Sequence, residues 1–218
     1  MKRTSSNDVF NSYLVDGARF CGSMELPALP KVDAVPDSLT EFRRMKNPSS
    51  ANQFIHFYIH DRKFESVYKN PAKYLDWFRR FAGIIGFDYS IHAESPLYKQ
   101  IDGIARSREL SFWYSKQGIN VIPNVRWGMR ETFSWCFDGL PRGSTVAVST
   151  LGCVKDMVSR KLFVDGFWSM LEKIEPKLVI VYGSKSEKLF PPLLSIIYKF
   201  KIVHFESHIS TAKRKEAG

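Results

Sequence analysis

The hydrophobic pattern of the chain changes near residue 53. Residues 1–50 contain four prolines and show little periodicity. The remainder alternates short apolar runs, rich in β-branched and aromatic residues, with longer segments of helical period. Runs of this kind predict strands. Six of them are present, at residues 54–60, 83–90, 119–125, 145–150, 177–183 and 201–207.

Segments with helical spacing lie between these runs. Residues 71–81 carry one apolar stripe and begin with a proline, which is tolerated in a first helical turn because its missing N–H has no partner there. A second helix is predicted from Ser95-Pro96 to Gly118, where the glycine is a stop signal. Two more helices are predicted at residues 155–174 and 192–200.

The alternation of strand and helix predicts an α/β fold with a mainly parallel six-stranded sheet, because a crossover helix returns the chain to the same edge of the sheet. Two architectures fit: an open doubly wound sheet, and an incomplete or distorted (β/α) barrel. A complete eight-unit barrel usually needs about 250 residues, more than follow residue 50, so it would require the N-terminal residues as well.

We divide the chain into a proline-containing N-terminal arm at residues 1–50, a single α/β domain at 51–208 and a basic C-terminal tail at 209–218. One short helix is predicted in the arm, near Ser38–Met45. The first residues lack the apolar core of a secretory signal, and no apolar run approaches the ~20 residues of a membrane span. We therefore expect a cytoplasmic protein without a membrane partner.

The net charge of the chain suggests an anionic binding partner. The 218 residues include 32 Lys and Arg against 22 Asp and Glu, a formal net charge of +10, and 44% are hydrophobic, which argues against a wholly disordered chain. The surplus favours nucleic acid or a phosphorylated small molecule, and the densest basic region is 99–130. No zinc-finger or RRM signature accompanies it. Any nucleic-acid affinity is expected to be electrostatic and independent of sequence.

Polar side chains follow every predicted strand, and the C-terminal ends of parallel strands meet at one edge of a sheet. Asp61, Asp88 and Glu206 are the candidate catalytic acid/base groups, expected to converge on one cleft. Turn-forming residues also belong at strand ends, so a purely structural role is the alternative for each. The candidate ligand-binding residues are Ser90, Arg106, Asn124, Arg126, Trp127, Ser149 and Tyr182, with the arginines as anion clamps and the two aromatics as stacking walls.

A metal site is a weaker alternative. His204, Glu206 and His208 alternate and would project from one face of an extended segment, so the cofactor question stays open with a divalent metal as one answer. The histidines are flanked by aromatics, which also suits hydrogen-bonded core residues. The chain lacks both the GxGxxG and the GxxxxGK[ST] phosphate loops. The three cysteines contain no CxxC pair and are predicted to be reduced thiols, with two of them, including Cys136, in the core.

Five runs in order carry a resemblance: FIHFYIHDRKFESVYKNPAKYL, GFDYSIH, WYSKQGINVIPNVRW, FSWCFDGLPRGSTVAVSTLG and PKLVIVYG. Together they resemble the bacterial, plasmid and phage family known as domain of unknown function 4417, over residues 54–183. The resemblance implies a mobile-element origin and no particular activity. The chain departs from the family pattern at Gly86, where proline is expected. The residues that stand at motif positions are Asp61, Phe64, Glu65, Asp88, Ser90, Arg106, Pro123, Trp127, Phe137, Asp138, Gly139, Ser149, Gly152, Tyr182 and Gly183.

Three functional hypotheses follow. The first is an α/β protein of phage or plasmid type whose polar pocket, at the strand C-termini, binds or hydrolyses a phosphorylated or nucleic-acid-derived ligand. The second is a non-enzymatic nucleic-acid-binding, replication or defence protein that uses the basic region 99–130 and the tail. The third is a partner in an assembly. The sequence leaves open whether the protein is an enzyme, and it does not determine the oligomeric state.

Overall fold

The computed structural model describes residues 8–207. The chain begins with a short antiparallel hairpin, β1 (Phe20–Cys21) and β2 (Leu26–Pro27). The next four strands form a parallel sheet in which neighbours in the sequence are neighbours in space: β3 (Ser38–Glu41), β4 (Gln53–His56), β5 (Gly83–Ile85) and β6 (Val121–Ile122). The last three form a second parallel sheet: β7 (Thr145–Ser149), β8 (Leu178–Tyr182) and β9 (Lys201–Phe205).

Helices connect successive strands, as the sequence predicts. They are α1 (Glu65–Lys69), α2 (Leu75–Phe78), α3 (Leu97–Lys116), α4 (Met157–Ile174) and α5 (Pro192–Ile197). Five 3-10 turns accompany them at Ser12–Val15, Phe42–Arg44, Asp61–Lys63, Pro71–Tyr74 and Arg130–Ser134. Within residues 8–207, no helix is both long and apolar enough to cross a membrane.

The prediction of one six-stranded sheet is wrong, because the strands separate into two sheets at Pro123. Proline has no N–H to donate, and the Pro123 backbone faces β7, so the pairing of β6 with β7 lacks a donor at this position. Within the described part of the chain, one bridge joins the sheets: the Ala147 N–H donates to the Pro123 carbonyl, and the Val125 N–H donates to the Ala147 carbonyl, both at 2.8 Å. Among the described residues, the outer strands β3 and β9 do not pair, and the sheets form no closed barrel.

Side-chain alternation explains how both faces of each strand are buried. Phe54, Ile122 and Ile180 point to one apolar cluster that the two sheets share. The opposite faces pack against helices: Ile55 of the first sheet belongs to an aromatic-rich cluster, and Val179 of the second belongs to a cluster that includes α4. The two sheets therefore cover each other on one side and are covered by helices on the other, as parallel sheets usually are.

The predicted arm contributes to the sheet. Ser38–Glu41 form strand β3, paired in register with Gln53–His56, and a 3-10 turn follows. The prediction of a helix near Ser38–Met45 is therefore wrong for its first half. An extended partner strand next to β4 satisfies backbone groups that a short isolated helix would leave to solvent.

Cys136 lies in the core, as predicted, but the expectation of a second core cysteine is wrong, because Cys21 and Cys153 are both half-buried. The Cys136 side chain is fully buried, and burial raises the pKa of its thiol to about 12. A neutral, enclosed thiol behaves as a small apolar side chain.

Candidate ligand cavity beside the sheet junction

A cavity of about 180 Å³ opens beside the junction of the two sheets. The loops that follow β5, β6 and β7 line it, together with the first turns of α4. This is the edge where parallel α/β sheets usually bind ligands, because the loops there are not needed to complete the sheet. The lining residues are Ile91, His92, Ala93, Glu94, Val125, Arg126, Trp127, Gly128, Ser149, Gly152, Cys153, Ser159, Leu162 and Phe163.

Arg126 is held in place by a carboxylate behind it. Its Nε lies 3.4 Å from Oδ1 of Asp88, and the side chains are only 17% and 14% exposed. The same carboxylate oxygen accepts a hydrogen bond from Asn124 Nδ2 at 2.8 Å, and Asn124 Oδ1 accepts one from the Tyr58 hydroxyl at 3.1 Å. These four side chains link the ends of β4, β5 and β6 in one buried polar network.

The network stabilises the positive charge of Arg126. Burial raises the pKa of the Asp88 carboxyl, while Arg126 and Asn124 act in the opposite direction. For Arg126, burial alone would lower the pKa of the guanidinium, but Asp88 and the other neighbours together raise it above its ordinary value. Arg126 is therefore a fixed cation at the cavity. Its Nη1 also lies 3.5 Å from the Cys153 sulfur.

Two aromatic rings form a wall of the cavity. The centroids of Trp127 and Phe163 are 5.3 Å apart, and Trp127 packs against α4 at Gly166. A Cβ atom at position 166 would lie 2.2 Å from Trp127 Nε1, so glycine leaves the space that the indole occupies. The wall depends on this close approach of the ring to the helix backbone.

The β7–α4 loop forms another side of the cavity. Gly152 has φ +75°, which favours glycine. Asp156 caps α4: one carboxylate oxygen accepts from the Ser159 N–H and the other from the Ser159 hydroxyl, both at 2.8 Å. These hydrogen bonds lower the pKa of Asp156. The N-terminus of α4 is therefore capped by a side chain of the protein, Asp156.

Asp61 lies close enough to Asp88 for its charge to raise the pKa of Asp88 further. Its own carboxylate accepts two hydrogen bonds from Ser90, from the backbone N–H at 3.1 Å and from the hydroxyl at 2.9 Å. Asp61 and Ser90 line a separate open groove of about 540 Å³, which also contains His92. Neither the Asp61 nor the Asp88 carboxylate belongs to the cavity wall.

Arg106, a predicted anion clamp, already has anionic partners. Its Nη1 lies 3.3 Å from Glu65, and its Nε lies 3.1 Å from Asp102. The guanidinium also lies 4.7 Å from the ring centroid of Tyr68. Arg106 lines the open groove with Asp61, not the cavity.

The structure separates the remaining candidates. Ser149 lines the cavity, where its hydroxyl accepts from the Leu151 N–H at 3.2 Å. Tyr182 lies instead in the apolar interior shared by the sheets, where its ring is stacked on Tyr58 at a centroid distance of 4.7 Å and tilted against His56 at 4.5 Å. It packs against these rings and is not a wall of the cavity.

Glu206 lines neither the cavity nor the open groove. It follows β9, an outer strand, and its side chain is exposed. His204 Nε2 lies 2.6 Å from the Gly183 carbonyl oxygen, and His208 is outside the described residues. Within residues 8–207, no group of three His, Cys, Asp or Glu side chains is arranged to hold a metal ion.

Four lining residues with polar or ionisable side chains were not predicted: His92, Glu94, Cys153 and Ser159. His92 and Glu94 lie two and four positions beyond Ser90, where the prediction stopped. Candidates were taken from the residues that directly follow a predicted strand. Extending that search by four residues beyond Ser90 would have included His92 and Glu94. Cys153 and Ser159 lie in the β7–α4 connection, and their place at the cavity depends on how α4 packs.

The comparisons with known proteins agree with the resemblance described above. A family model described as Domain of unknown function (DUF4417) matches residues 18–201. The "Gene 1 protein" of Mycobacterium phage L5 is 32% identical over 162 residues, which cover 73% of this chain and 71% of the phage protein. The "Gene 1 protein" of Mycobacterium phage D29 is 30% identical over 162 residues, 73% of this chain and 60% of that protein. No solved structure matches the chain.

Proposed function

The chain belongs to the domain of unknown function family DUF4417, and we propose that this phage-related protein binds a nucleotide-sized, nucleic-acid-derived ligand in the cavity beside the junction of its sheets. The observation that carries the proposal is Arg126, a buried cation kept in place by Asp88 beside the Trp127 ring. A guanidinium next to an aromatic wall suits a ligand with a phosphate and a flat base.

The size of the cavity limits the ligand. Its volume of about 180 Å³ is below the about 300–1,000 Å³ of pockets for drug-sized molecules. A dinucleotide cofactor is too large for this space. A single nucleotide, with its base inside and its phosphate towards Arg126, is the largest ligand of this class that we expect.

The geometry favours binding over hydrolysis. Asp88 faces Arg126 and Asn124 and does not line the cavity. We therefore expect Asp88 to influence a ligand indirectly, by holding Arg126 in position. The catalytic roles of Asp61, Asp88 and Glu206 stay predictions. If the site performs acid/base chemistry, His92 and Glu94 are the lining residues with suitable groups.

Calorimetric titration of the full chain with nucleoside 5′-monophosphates tests the proposal, with the corresponding nucleosides and inorganic phosphate as comparison ligands. We expect the monophosphate to bind more tightly than either of its parts. Arg126→Lys keeps a cation beside Asp88 but removes the planar fork, so we expect at least a roughly tenfold loss of affinity.

Two matched tryptophan substitutions on α4 locate the binding. Leu162 lines the cavity, whereas Lys161 is exposed and does not. Leu162→Trp should fill the cavity and abolish binding, while Lys161→Trp should leave it unchanged. Equal binding by both variants, or a monophosphate that binds no better than about 1 mM, would contradict the proposal.

A further inference from the structure

The basic region predicted from the sequence, residues 99–130, is largely used within the molecule. Arg108 is 3% exposed and donates to the Cys136 carbonyl at 2.8 Å, and the Lys116 ammonium donates to the Asp16 carbonyl at 2.7 Å. Arg106, Arg126 and Arg130 each pair with a carboxylate. These cations are poorly placed to contact a long polyanion.

A second basic region forms only in the folded chain. The segments 42–47 and 73–80 pack together, because the Phe42 ring contacts Tyr74 and Phe78 at centroid distances of 5.6 and 6.2 Å. Arg80 also donates a hydrogen bond to the Asn47 side chain. The exposed side chains of both segments consequently share one surface, which we call the Trp77 surface.

The Trp77 surface has an excess of positive charge. Two carboxylates accompany its cations: Glu41 lies 3.8 Å from Arg44, and Asp76 lies 3.2 Å from Arg79. Exposed pairs of this kind are weak and are screened by salt. Among the described carboxylates, none pairs with the other four cations. The six exposed cations are Arg43, Arg44, Lys46, Lys73, Arg79 and Arg80.

Trp77 is the unusual member of this surface, because 43% of this large apolar side chain is exposed. Helix α2 is a single turn that buries Phe78 in the core, which leaves Trp77 on the other side. The Arg80 guanidinium lies 4.8 Å from the indole centroid. An exposed aromatic ring among cations is the arrangement that single-stranded nucleic-acid-binding proteins use to stack bases and contact phosphates.

We propose that the Trp77 surface binds single-stranded nucleic acid, with a base stacked on Trp77 and neighbouring phosphates contacted by Arg43, Lys46 and Arg80. A duplex fits less well, since its bases are already stacked and would leave Trp77 without a partner. Binding is independent of sequence, because every base offers a face for stacking. The surface shares no residue with the cavity, so this proposal does not depend on the previous one.

Fluorescence anisotropy of a labelled oligothymidylate with the full chain tests the proposal. Trp77→Ala should weaken binding about tenfold, while Trp77→Phe, which keeps a ring, should retain most of it. Affinity should fall steeply between about 50 and 200 mM salt. The matching duplex should bind more weakly and respond little to Trp77→Ala. Circular dichroism of each variant checks that it is folded.

A charge-matched pair of variants separates this surface from the net charge of the chain. Arg43→Glu/Lys46→Glu and Lys185→Glu/Lys188→Glu reverse two exposed cations each, at different places. Only the first should greatly weaken binding. Equal losses from both, indifference to Trp77→Ala in a folded variant, or no binding at about 50 mM salt would overturn the proposal. Binding to phosphatidylserine vesicles without binding to the oligonucleotide would overturn it in favour of an anionic membrane.

Discussion

Arg126 in the cavity and Arg80 on the Trp77 surface carry the same guanidinium in different surroundings. Arg126 is mostly buried, lies 3.4 Å from Asp88, and contacts the cavity from a fixed position. Arg80 is exposed, lies over the Trp77 ring, and has no described carboxylate at ion-pair distance. Burial makes an unpaired charge costly, so the interior supplies a partner, whereas water and salt let like charges gather outside. Only the exposed group can provide a surplus of charge to a large polyanion.

The largest expected effect comes from removing the cation of the buried pair. Arg126→Met should destabilise the protein by about 3–5 kcal/mol near neutral pH, because it leaves Asp88 buried without its cation. The pKa of Asp88 is already raised and should rise further, so the folded state should bind a proton more readily than the unfolded state. Stability should then fall as pH rises through the folded pKa and recover on acidification.

Urea unfolding of the wild type and Arg126→Met across the acidic range measures this effect. Arg126→Lys, which keeps the positive charge, is the control and should lose less. A loss of stability in Arg126→Met that does not change with pH would show that packing, not the Asp88 charge, is responsible.

A smaller effect is expected at the cavity wall. Gly166→Ala places a methyl group against the Trp127 indole and should cost about 1–3 kcal/mol, reduced by the better helix propensity of alanine. Gly103→Ala on α3 is the matched control: its new Cβ would meet Ile91 Cδ1 at 2.7 Å, the end of a side chain that can move. Thermal unfolding should show Gly103→Ala to be neutral or slightly stabilising. Equal destabilisation by both substitutions would argue against the tight Trp127 contact.

Cations on the exposed Trp77 surface should matter little for stability but should matter for nucleic-acid binding. Arg43→Ala and Lys46→Ala should each change the free energy of unfolding by no more than about 0.5 kcal/mol, because water already solvates both groups. Each should nevertheless reduce the salt dependence of single-strand binding, by about 0.7 in the slope of log K against log salt. Chemical denaturation and salt titration of the same samples measure the two quantities. A large loss of stability would mean that these cations have structural contacts.

The smallest expected effect on stability concerns Asp156, whose pKa is lowered, whereas the pKa of Asp88 is raised. Hydrogen bonds from Ser159 lower the pKa of Asp156, so its contribution is present above the unfolded pKa and is lost as pH falls through the folded pKa. Asp156→Asn keeps a capping side chain but cannot titrate. The stability difference between wild type and Asp156→Asn should shrink on acidification, whereas Asp88 favours the folded state at low pH. A difference that stays constant with pH would exclude this role for Asp156.

Much of the secondary structure could be predicted, because it depends on local periodicity. Each of the six segments predicted as strands overlaps a strand of the structure, and α3, α4 and α5 lie within the segments predicted as helical. The predicted segment 71–81 divides into a 3-10 turn and the short helix α2. Strand β3 was missed because Ser38–Glu41 has a weak pattern and gains its conformation by pairing with β4.

The candidate site was predicted less completely. Arg126, Trp127 and Ser149 line the cavity as candidates drawn from the strand ends, while Asn124 and Asp88 support Arg126 from behind. Arg106 and Tyr182 have the expected chemistry but face partners within the protein. Residue type and strand-end position do not reveal which partners a side chain will meet, since those partners come from distant segments.

By itself, the sequence determined the α/β character of the chain, the parallel direction of its strands and its family. These follow from hydrophobic period, from helical crossovers and from ordered motifs. Only the tertiary structure decided that the sheet divides at Pro123, that cations of the region 99–130 pair with groups of the same molecule, and that segments 42–47 and 73–80 pack together, with Arg80 over the Trp77 ring. The residue type determines the charge and the hydrogen-bonding groups of a side chain. Whether those groups pair within the protein depends on which distant groups folding brings within a few ångströms.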